Sequence, residues 1–402
     1  MKILLVSQFF QPEPIFKGLP LARELKARGH GVEVLTGFPN YPGGKIYPGY
    51  KQRMWARECM DGINVNRVPL YPSHDKSGVK RMANYLSFGV SASVIGSWLV
   101  HKPDVIYAYN LVTLGLALRL QRWFRGAKIV LDVQDLWPES IMSSGMMKSK
   151  LLMFMVKKWT QMEYKSPNRL IVLSPGFKEN LVQRGVDPGK IDVIYNWCDE
   201  SAINISSADR KSSDDGKDTF QIVFAGAMGT AQALSCIIDA ATQIQDSMPH
   251  VRFLFIGGGV DIPMLKERSK GLGNVEFRPP VPQSEIGGVL SNADCLLVHL
   301  KADPVFKITI PSKIQAYLFA GKPILCGVEG DAADLVTKAK AGLKFEPENI
   351  QSFCNAIKNL ASMNRNELLS MGHAGRRFYD EHLCFKKGVD QIEASLIRAF
   401  NQ

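Results

Sequence analysis

PVFKITIPSKIQAYLFAGKPIL (residues 304–325) decides how the rest of the chain is read. It starts extended, turns at Pro311, Ser312 and Lys313, and runs as a short helix with Ile314, Tyr317 and Leu318 on one face. It stops at Gly321 before an apolar strand. Alternation of strand and helix on this scale is how parallel α/β sheets are wound. The Pro-Ser-Lys mouth leaves free backbone N–H groups beside Lys307 and Lys313, which is the local chemistry of a diphosphate site. Taken alone, the same residues read equally well as a capped helix with solvated lysines.

The same rhythm repeats outward from that stretch. Upstream lie QIVFAGAMG (221–229), VRFLFIGGG (251–259), NVEFRPPV (274–281) and CLLVHLK (295–301), each a strand run separated from the next by a helical pattern. The first half carries KILLVSQFF (2–10), GVEVLTGF (31–38), INVNRVPLYP (63–72), DVIYAYN (104–110), KIVLDVQDLWPES (128–140) and RLIVLSPGFKENLVQRG (169–185). Two successive doubly wound halves follow, both Rossmann-like and expected to face each other across a cleft. The expected domains are residues 1–200, residues 219–375, and a helical segment 376–402 that returns to the first domain. The polar run 206–218 (SSADRKSSDDGKD) is the expected linker. A length of 402 residues suits two domains rather than one core.

Composition narrows the setting. Seven cysteines, widely spread and without a Cys-x-x-Cys pair, point to a reducing cytosolic compartment with no disulfide framework and no zinc site. MKILLVSQFF has too short an apolar run for a signal peptide and reads as the first core strand. The net charge of +11 lies entirely in residues 1–200, which hold 27 Lys and Arg against 16 Asp and Glu. A basic half implies an anionic partner: nucleic acid, an acidic membrane surface or a phosphorylated substrate. Residues 82–100 (MANYLSFGVSASVIGSWLV) approach the length of a membrane span, but Asn84, four serines and two glycines favour a buried or interfacial helix. Residues 151–166 read as a helix that faces either the core or lipid.

Three glycine turns are placed to meet phosphate: Lys17-Gly18, residues 226–230 and residues 257–259. None has the G-x-G-x-x-G spacing, so nicotinamide binding is not indicated. His30 follows a helix stop and His299 ends an apolar strand, and both read as structural.

In order along the chain stand FFQPEP with IFKGLP, GFPNYPGGKIYPGY, VPLYPSHDKS, VQDLWPES, VIYNW, FAGAMGTAQ and IPSKIQAYLFAGKPIL. Through these motifs the whole chain resembles the two-domain GT-B glycosyltransferases of family 4, in particular the WbuB-like L-fucosamine transferases of O-antigen and capsule synthesis. The resemblance implies a UDP-sugar held mainly by domain two, an acceptor held mainly by domain one, and retaining transfer without a metal ion or other cofactor. It implies that Lys17 and Gly18 face the donor, that Gly226, Gly229 and Thr230 contact the diphosphate, and that Val281 bonds the nucleobase. Lys307, Ser312 and Lys313 would cradle the diphosphate as its negative charge grows on bond cleavage. Asp135 would orient the acceptor hydroxyl or the sugar, with Gln134 and Trp137 beside the acceptor.

The chain departs from the family pattern at four places. Ile308 and Ala316 occupy the positions of two glutamates, so the ribose contact is expected from Glu329; Gln134 replaces a histidine, and Thr230 replaces a cationic residue. A polyprenyl-diphosphate-linked acceptor would bring the enzyme to the inner face of the plasma membrane. The clusters Lys51-Arg53-Arg57, Lys80-Arg81 and Lys148-Lys150-Lys157-Lys158 suit such peripheral attachment. Two other classes stay open at this point: a sugar-nucleotide epimerase on the same fold, and a basic nucleic-acid-binding protein.

Overall fold

The computed structural model describes residues 1–73, 77–109, 114–139, 150–201, 203 and 219–402. The expected linker 206–218 and Lys148 lie outside these residues, as does the side chain of Lys150. The chain forms two compact units, one made of residues 1–194 and 389–402, the other of residues 195–388.

In the first unit eight strands make one sheet: β1 (Lys2–Val6), β2 (Gly31–Gly37), β3 (Ala56–Met60), β4 (Ile63–Val68), β5 (Val105–Tyr109), β6 (Lys128–Val133), β7 (Arg169–Val172) and β8 (Ile191–Val193). Their order is β3-β4-β2-β1-β5-β6-β7-β8, parallel except where β3 pairs antiparallel with β4. The central strands are continuous apolar runs because helices cover both faces. β3 alternates half-buried and exposed residues, as an edge strand does. The helices are α1 (Leu19–Ala27), α2 (Gly78–Ser91), α3 (Gly115–Arg125), α4 (Lys150–Lys165) and α5 (Pro175–Gln183).

The second unit repeats the plan with six parallel strands: β9 (Phe220–Ala225), β10 (Val251–Ile256), β11 (Val275–Arg278), β12 (Cys295–His299), β13 (Ile324–Gly327) and β14 (Gly342–Lys344), in the order β11-β10-β9-β12-β13-β14. Its helices are α6 (Ser235–Ile244), α7 (Ile262–Arg268), α8 (Gln283–Asn292), α9 (Pro304–Lys307), α10 (Ser312–Ala320), α11 (Asp331–Lys338), α12 (Ile350–Ala361) and α13 (Arg365–His382). Phe253, Phe255, Phe345 and Phe353 fill one core layer with Ile237 and Ile357. In each sheet the winding reverses beside the first strand, between β1 and β5 and between β9 and β12. Ligands of open parallel sheets bind outside the carboxyl ends of the strands at that reversal.

Four local readings change. The expected helix 82–100 begins at Gly78 behind the Ser77 cap, then passes through a wide π turn at Ala92–Gly96 and a last turn at Ser97–Leu99. Ser93 Oγ donates to the Gly89 carbonyl at 2.6 Å and so competes for an acceptor of the helical ladder. Residues 304–307 are not extended but form α9, whose Asp303 side chain accepts the Val305 amide at 2.9 Å. In the second unit a 3-10 turn, Thr230–Gln232, precedes α6 where one longer helix was expected. The expected continuous C-terminal helix breaks at Leu383 and Cys384, and α14 (Phe385–Phe400) follows.

The last residues complete the first unit. Val389, Ile392, Leu396 and Ala399 of α14 are fully buried at helical spacing. Arg28 pairs with Asp390 at 2.8 Å and with Glu393 at 2.7 Å, while Ser395 Oγ donates to Asp192 at 2.7 Å. Within the second unit Tyr195, Trp197 and Cys198 belong by their contacts. Trp197 meets Phe385 edge to face at 5.5 Å, and the Cys198 amide donates to Tyr379 Oη at 3.2 Å.

Candidate functional site

At the carboxyl end of β9 the chain enters a glycine turn that only glycine can make. Gly226 has φ +129, and a Cβ there would lie 2.6 Å from Lys313 Cε. Gly257, at the end of β10, packs against this turn so closely that a Cβ would lie 2.0 Å from the Gly226 carbonyl oxygen. The Gly226 amide donates to Ile256 O and the Met228 amide to Gly258 O, both at 2.8 Å. Gly229 then caps the 3-10 turn, its amide bonded to Gln232 Oε1 at 3.0 Å, and Thr230 is exposed.

α10 approaches the same point with its N-terminus. Tyr317 fixes it from below: the hydroxyl accepts the Ala225 amide at 3.1 Å. One turn earlier, Lys313 passes beneath Gly226 and sets its ammonium 3.7 Å from the centre of the Phe224 ring. Among the described residues it has no hydrogen-bond or ion-pair partner, and desolvation pulls its pKa down to about 7. Ser312 is exposed at the first turn, where the helix leaves its amides unpaired. Lys307, at the end of α9, pairs with Glu329 at 2.7 Å, with both side chains about half exposed. The two expected donor contacts therefore hold each other. Val281 is half-buried in the loop before α8, next to Pro280, which flanks Gly258. Ile308 follows α9 and Ala316 lies half-buried on α10.

In the first unit the expected residues divide between core and rim. Lys17 is buried and pairs with Asp132 at 2.7 Å, and Tyr107 Oη and Gln134 Nε2 donate to the same carboxylate. Desolvation lowers the Lys17 pKa in spite of the pair. Lys17 thus points into the sheet, while the Gly18 backbone following it caps α1 against Gln11. Trp137 is buried, its amide bonded to Tyr164 Oη at 3.0 Å and its carbonyl to Arg184 at 2.7 Å. Asp135, between these two anchored residues, is exposed at the carboxyl end of β6.

Glu13 escapes a linear reading, whereas His299 is structural as its place at a strand end suggests. Glu13 is buried and ties two loops together by accepting the amides of Phe10 at 2.9 Å, Asn40 at 2.7 Å and Tyr41 at 2.8 Å. Burial raises its pKa against those bonds. His299 Nδ1 donates to Gln232 O at 2.7 Å and Nε2 accepts the Glu348 amide at 3.0 Å, which assigns the neutral tautomer. It braces the turn that carries Thr230. The only sequence signal for Glu13 was an acidic residue inside a Pro-Glu-Pro loop.

Among the described residues no helix is long and apolar enough to cross a membrane, and no group of three or more His, Cys, Asp or Glu is placed to hold a metal ion.

Comparison with known proteins agrees with this plan. Residues 19–197 match the family described as "Glycosyl transferase 4-like domain", and residues 219–363 match "Glycosyl transferases group 1". The chain is 23% identical over 399 residues to the putative colanic acid biosynthesis glycosyl transferase WcaI of Escherichia coli K12, covering 95% of this chain and 98% of the relative. Among solved structures it is similar to sucrose-phosphate synthase of Thermosynechococcus elongatus, with a TM-score of 0.73 at 15% identity over 100% and 99% of the two chains. HepE of Anabaena, solved with UDP-glucose, gives a TM-score of 0.70 at 15% identity over 99% of each chain.

Proposed function

The chain is a glycosyltransferase of the GT-B fold, and we propose that it moves a sugar from a UDP-sugar to a lipid-diphosphate-linked saccharide in surface polysaccharide synthesis. The observation that carries the donor side of this reading is Lys313. A half-buried ammonium with no described partner, desolvated under a glycine turn and beside a helix N-terminus, is costly until an anion neutralises it. A nucleoside diphosphate supplies that anion. As the glycosidic bond breaks, negative charge grows on the leaving diphosphate, and the preorganised Lys313 ammonium and α10 amides stabilise it. Lys307 shares its charge with Glu329 and contributes less. Ser312, Gly229 and Thr230 line the same turn, and Val281 takes the base. Structural similarity to a protein solved with UDP-glucose and likeness to a colanic acid transferase support the choice of nucleotide and of polysaccharide synthesis.

On the acceptor side Asp135 orients the attacking hydroxyl, with Gln134 and Trp137 fixing its loop. Transfer with retention, without a metal ion, and with N-acetyl-L-fucosamine or a related amino or deoxy sugar as the donor sugar belongs to the same reading, as does the WbuB-like subgroup. The first unit also carries a broad apolar surface. Trp98 is 86% exposed, Trp123 81% and Phe124 73%, with Val79, Leu86, Val90, Leu151 and Phe154 also uncovered. Lys80, Arg122, Lys157 and Lys158 are exposed among them. Aromatic side chains beside cations suit peripheral docking on an anionic cytoplasmic leaflet. Arg57 is the exception in its cluster, since it bonds Asn66 and the Leu99 carbonyl, both at 2.9 Å.

Thermal denaturation against UDP, GDP, ADP, CMP and NAD tests the donor. A selective rise in Tm with UDP is expected, because a ligand of the folded state alone must stabilise it. No shift with any nucleotide would refute the donor reading. Flotation with vesicles containing phosphatidylglycerol tests docking, and its loss is expected in a Trp98→Ser, Trp123→Ser double variant.

A further inference from the structure

α2 presents two faces of opposite character. Val79, Leu86 and Val90 are exposed and follow one another at spacings of seven and four residues, so they form a single outer stripe. Asn84 and Phe88 are buried on the opposite side. Asn84 is saturated there: its carbonyl oxygen accepts from Gln8, and its nitrogen donates to Tyr71 O at 2.7 Å and Asn40 Oδ1 at 3.3 Å.

Between these faces stand Arg81 and Tyr85, one turn apart, half-buried and on the same flank. Neither is saturated. Arg81 Nε is buried with no hydrogen-bond partner among the described residues. The Tyr85 hydroxyl takes no hydrogen bond among them either, although it feels the charges of Arg81 and Asp135. The Tyr85 ring lies 6.2 Å from that of Trp137, tilted by 59°, so this flank adjoins the loop that carries Asp135. A half-buried guanidinium next to an unbonded phenol and an aromatic wall is a site short of one anion.

We infer that Arg81 and Tyr85 form the phosphate-reading part of the acceptor subsite. Arg81 gives a two-pronged donor fork to a phosphoryl group, Tyr85 donates a further hydrogen bond, and the half-buried Tyr85 ring, backed by the buried Trp137, faces the attached saccharide. This rests on the acceptor reading above and assigns it residues. It also gives α2 a second task. The helix lays an apolar stripe outward and carries the phosphate fork on its inner flank, so a diphosphate held by a lipid chain is presented to Arg81 from the surface that the chain occupies.

Calorimetric titration tests the assignment with two probes, inorganic pyrophosphate and farnesyl diphosphate, each in saturating UDP. The proteins compared are the wild type, Arg81→Gln, Arg81→Lys and Tyr85→Phe. Arg81→Gln is expected to weaken the phosphate probe by about tenfold or more, Tyr85→Phe by less, and Arg81→Lys to recover part of the loss. UDP affinity stays unchanged in all four. A larger Arg81 effect on farnesyl diphosphate than on pyrophosphate assigns the site to a lipid-linked phosphate, and equal effects assign it to the phosphate group from any source. Wild-type affinity of Arg81→Gln for both probes overturns the inference. A protein that fails to bind UDP instead refutes the donor reading, and the difference between variant and wild type remains readable.

Discussion

Among the described residues, Lys17 of the first unit is withdrawn from water and Lys313 of the second is half-buried and desolvated, and the two are treated in opposite ways. Lys17 in the first unit lies against Asp132, whose carboxylate also accepts Tyr107 and Gln134. Lys313 in the second rests on the Phe224 ring with no described counter-charge. A buried cation with its anion built in is part of the fold, because the pair can be broken only at the cost of an orphaned charge. A desolvated cation without one is held ready for an anion that arrives from outside. The contrast marks Lys17 as structural and leaves Lys313 as the candidate for binding.

The largest effect should come from removing the built-in partner. Lys17→Met strands the Asp132 carboxylate and is expected to lower unfolding free energy by about 3–5 kcal/mol in urea titration. A loss below about 1 kcal/mol, the usual range for an exposed pair, would erase the distinction. Lys313→Met should do the reverse: Tm stays level or rises because a desolvated ammonium is gone, while UDP binding weakens by about 2 kcal/mol, the value of a charge-assisted hydrogen bond. Unchanged UDP affinity by calorimetry would return Lys313 to the structural class.

The comparison sharpens with pH. Lys313 titrates near pH 7 in the free protein, so its charge is present below that value and is lost as pH rises through it. UDP affinity is therefore expected to fall between pH 6 and pH 8, and Lys313→Met to abolish that slope; a slope that survives the substitution assigns it to another group. Tyr317→Phe, which loosens the seat of α10 under Ala225, should cost about 1 kcal/mol of stability. Smallest is Glu329→Gln. It frees Lys307 from a half-exposed pair and should move stability by less than about 1 kcal/mol while tightening UDP slightly.

Much of the fold could be read from residue order, because β1, β9 and their neighbours are apolar runs, and glycine turns close β9 and β10. The glycine turn at Gly226 and the helix mouth at Ser312 and Lys313 were also legible, since they lie in two short motifs whose geometry is mostly local. The surroundings of Lys17 in the first unit were less so. Lys17 precedes a glycine in a loop and reads as a donor contact; its partner is 115 residues away, and the pairing of β1 with β5 and β5 with β6 brings them together. Glu13 and Arg81 share that difficulty, because their meaning depends on which backbone amides or rings the tertiary fold sets beside them. The π turn at Ala92–Gly96 stayed hidden because apolar periodicity does not distinguish a wide helical turn from a normal one.

The membership of residues 389–402 in the first unit has a consequence for the order in which the protein matures. The second unit is one continuous span, whereas the first lacks Val389, Ile392, Leu396 and Ala399, and the Asp390 and Glu393 partners of Arg28, until the second unit has been synthesised. On the ribosome the later span can close first, while the earlier one waits with an uncovered apolar groove. A nascent chain in that state is an apt client for a chaperone, and one interrupted after Gly388 would be cleared by proteolysis even though every residue proposed here for substrate binding had been made.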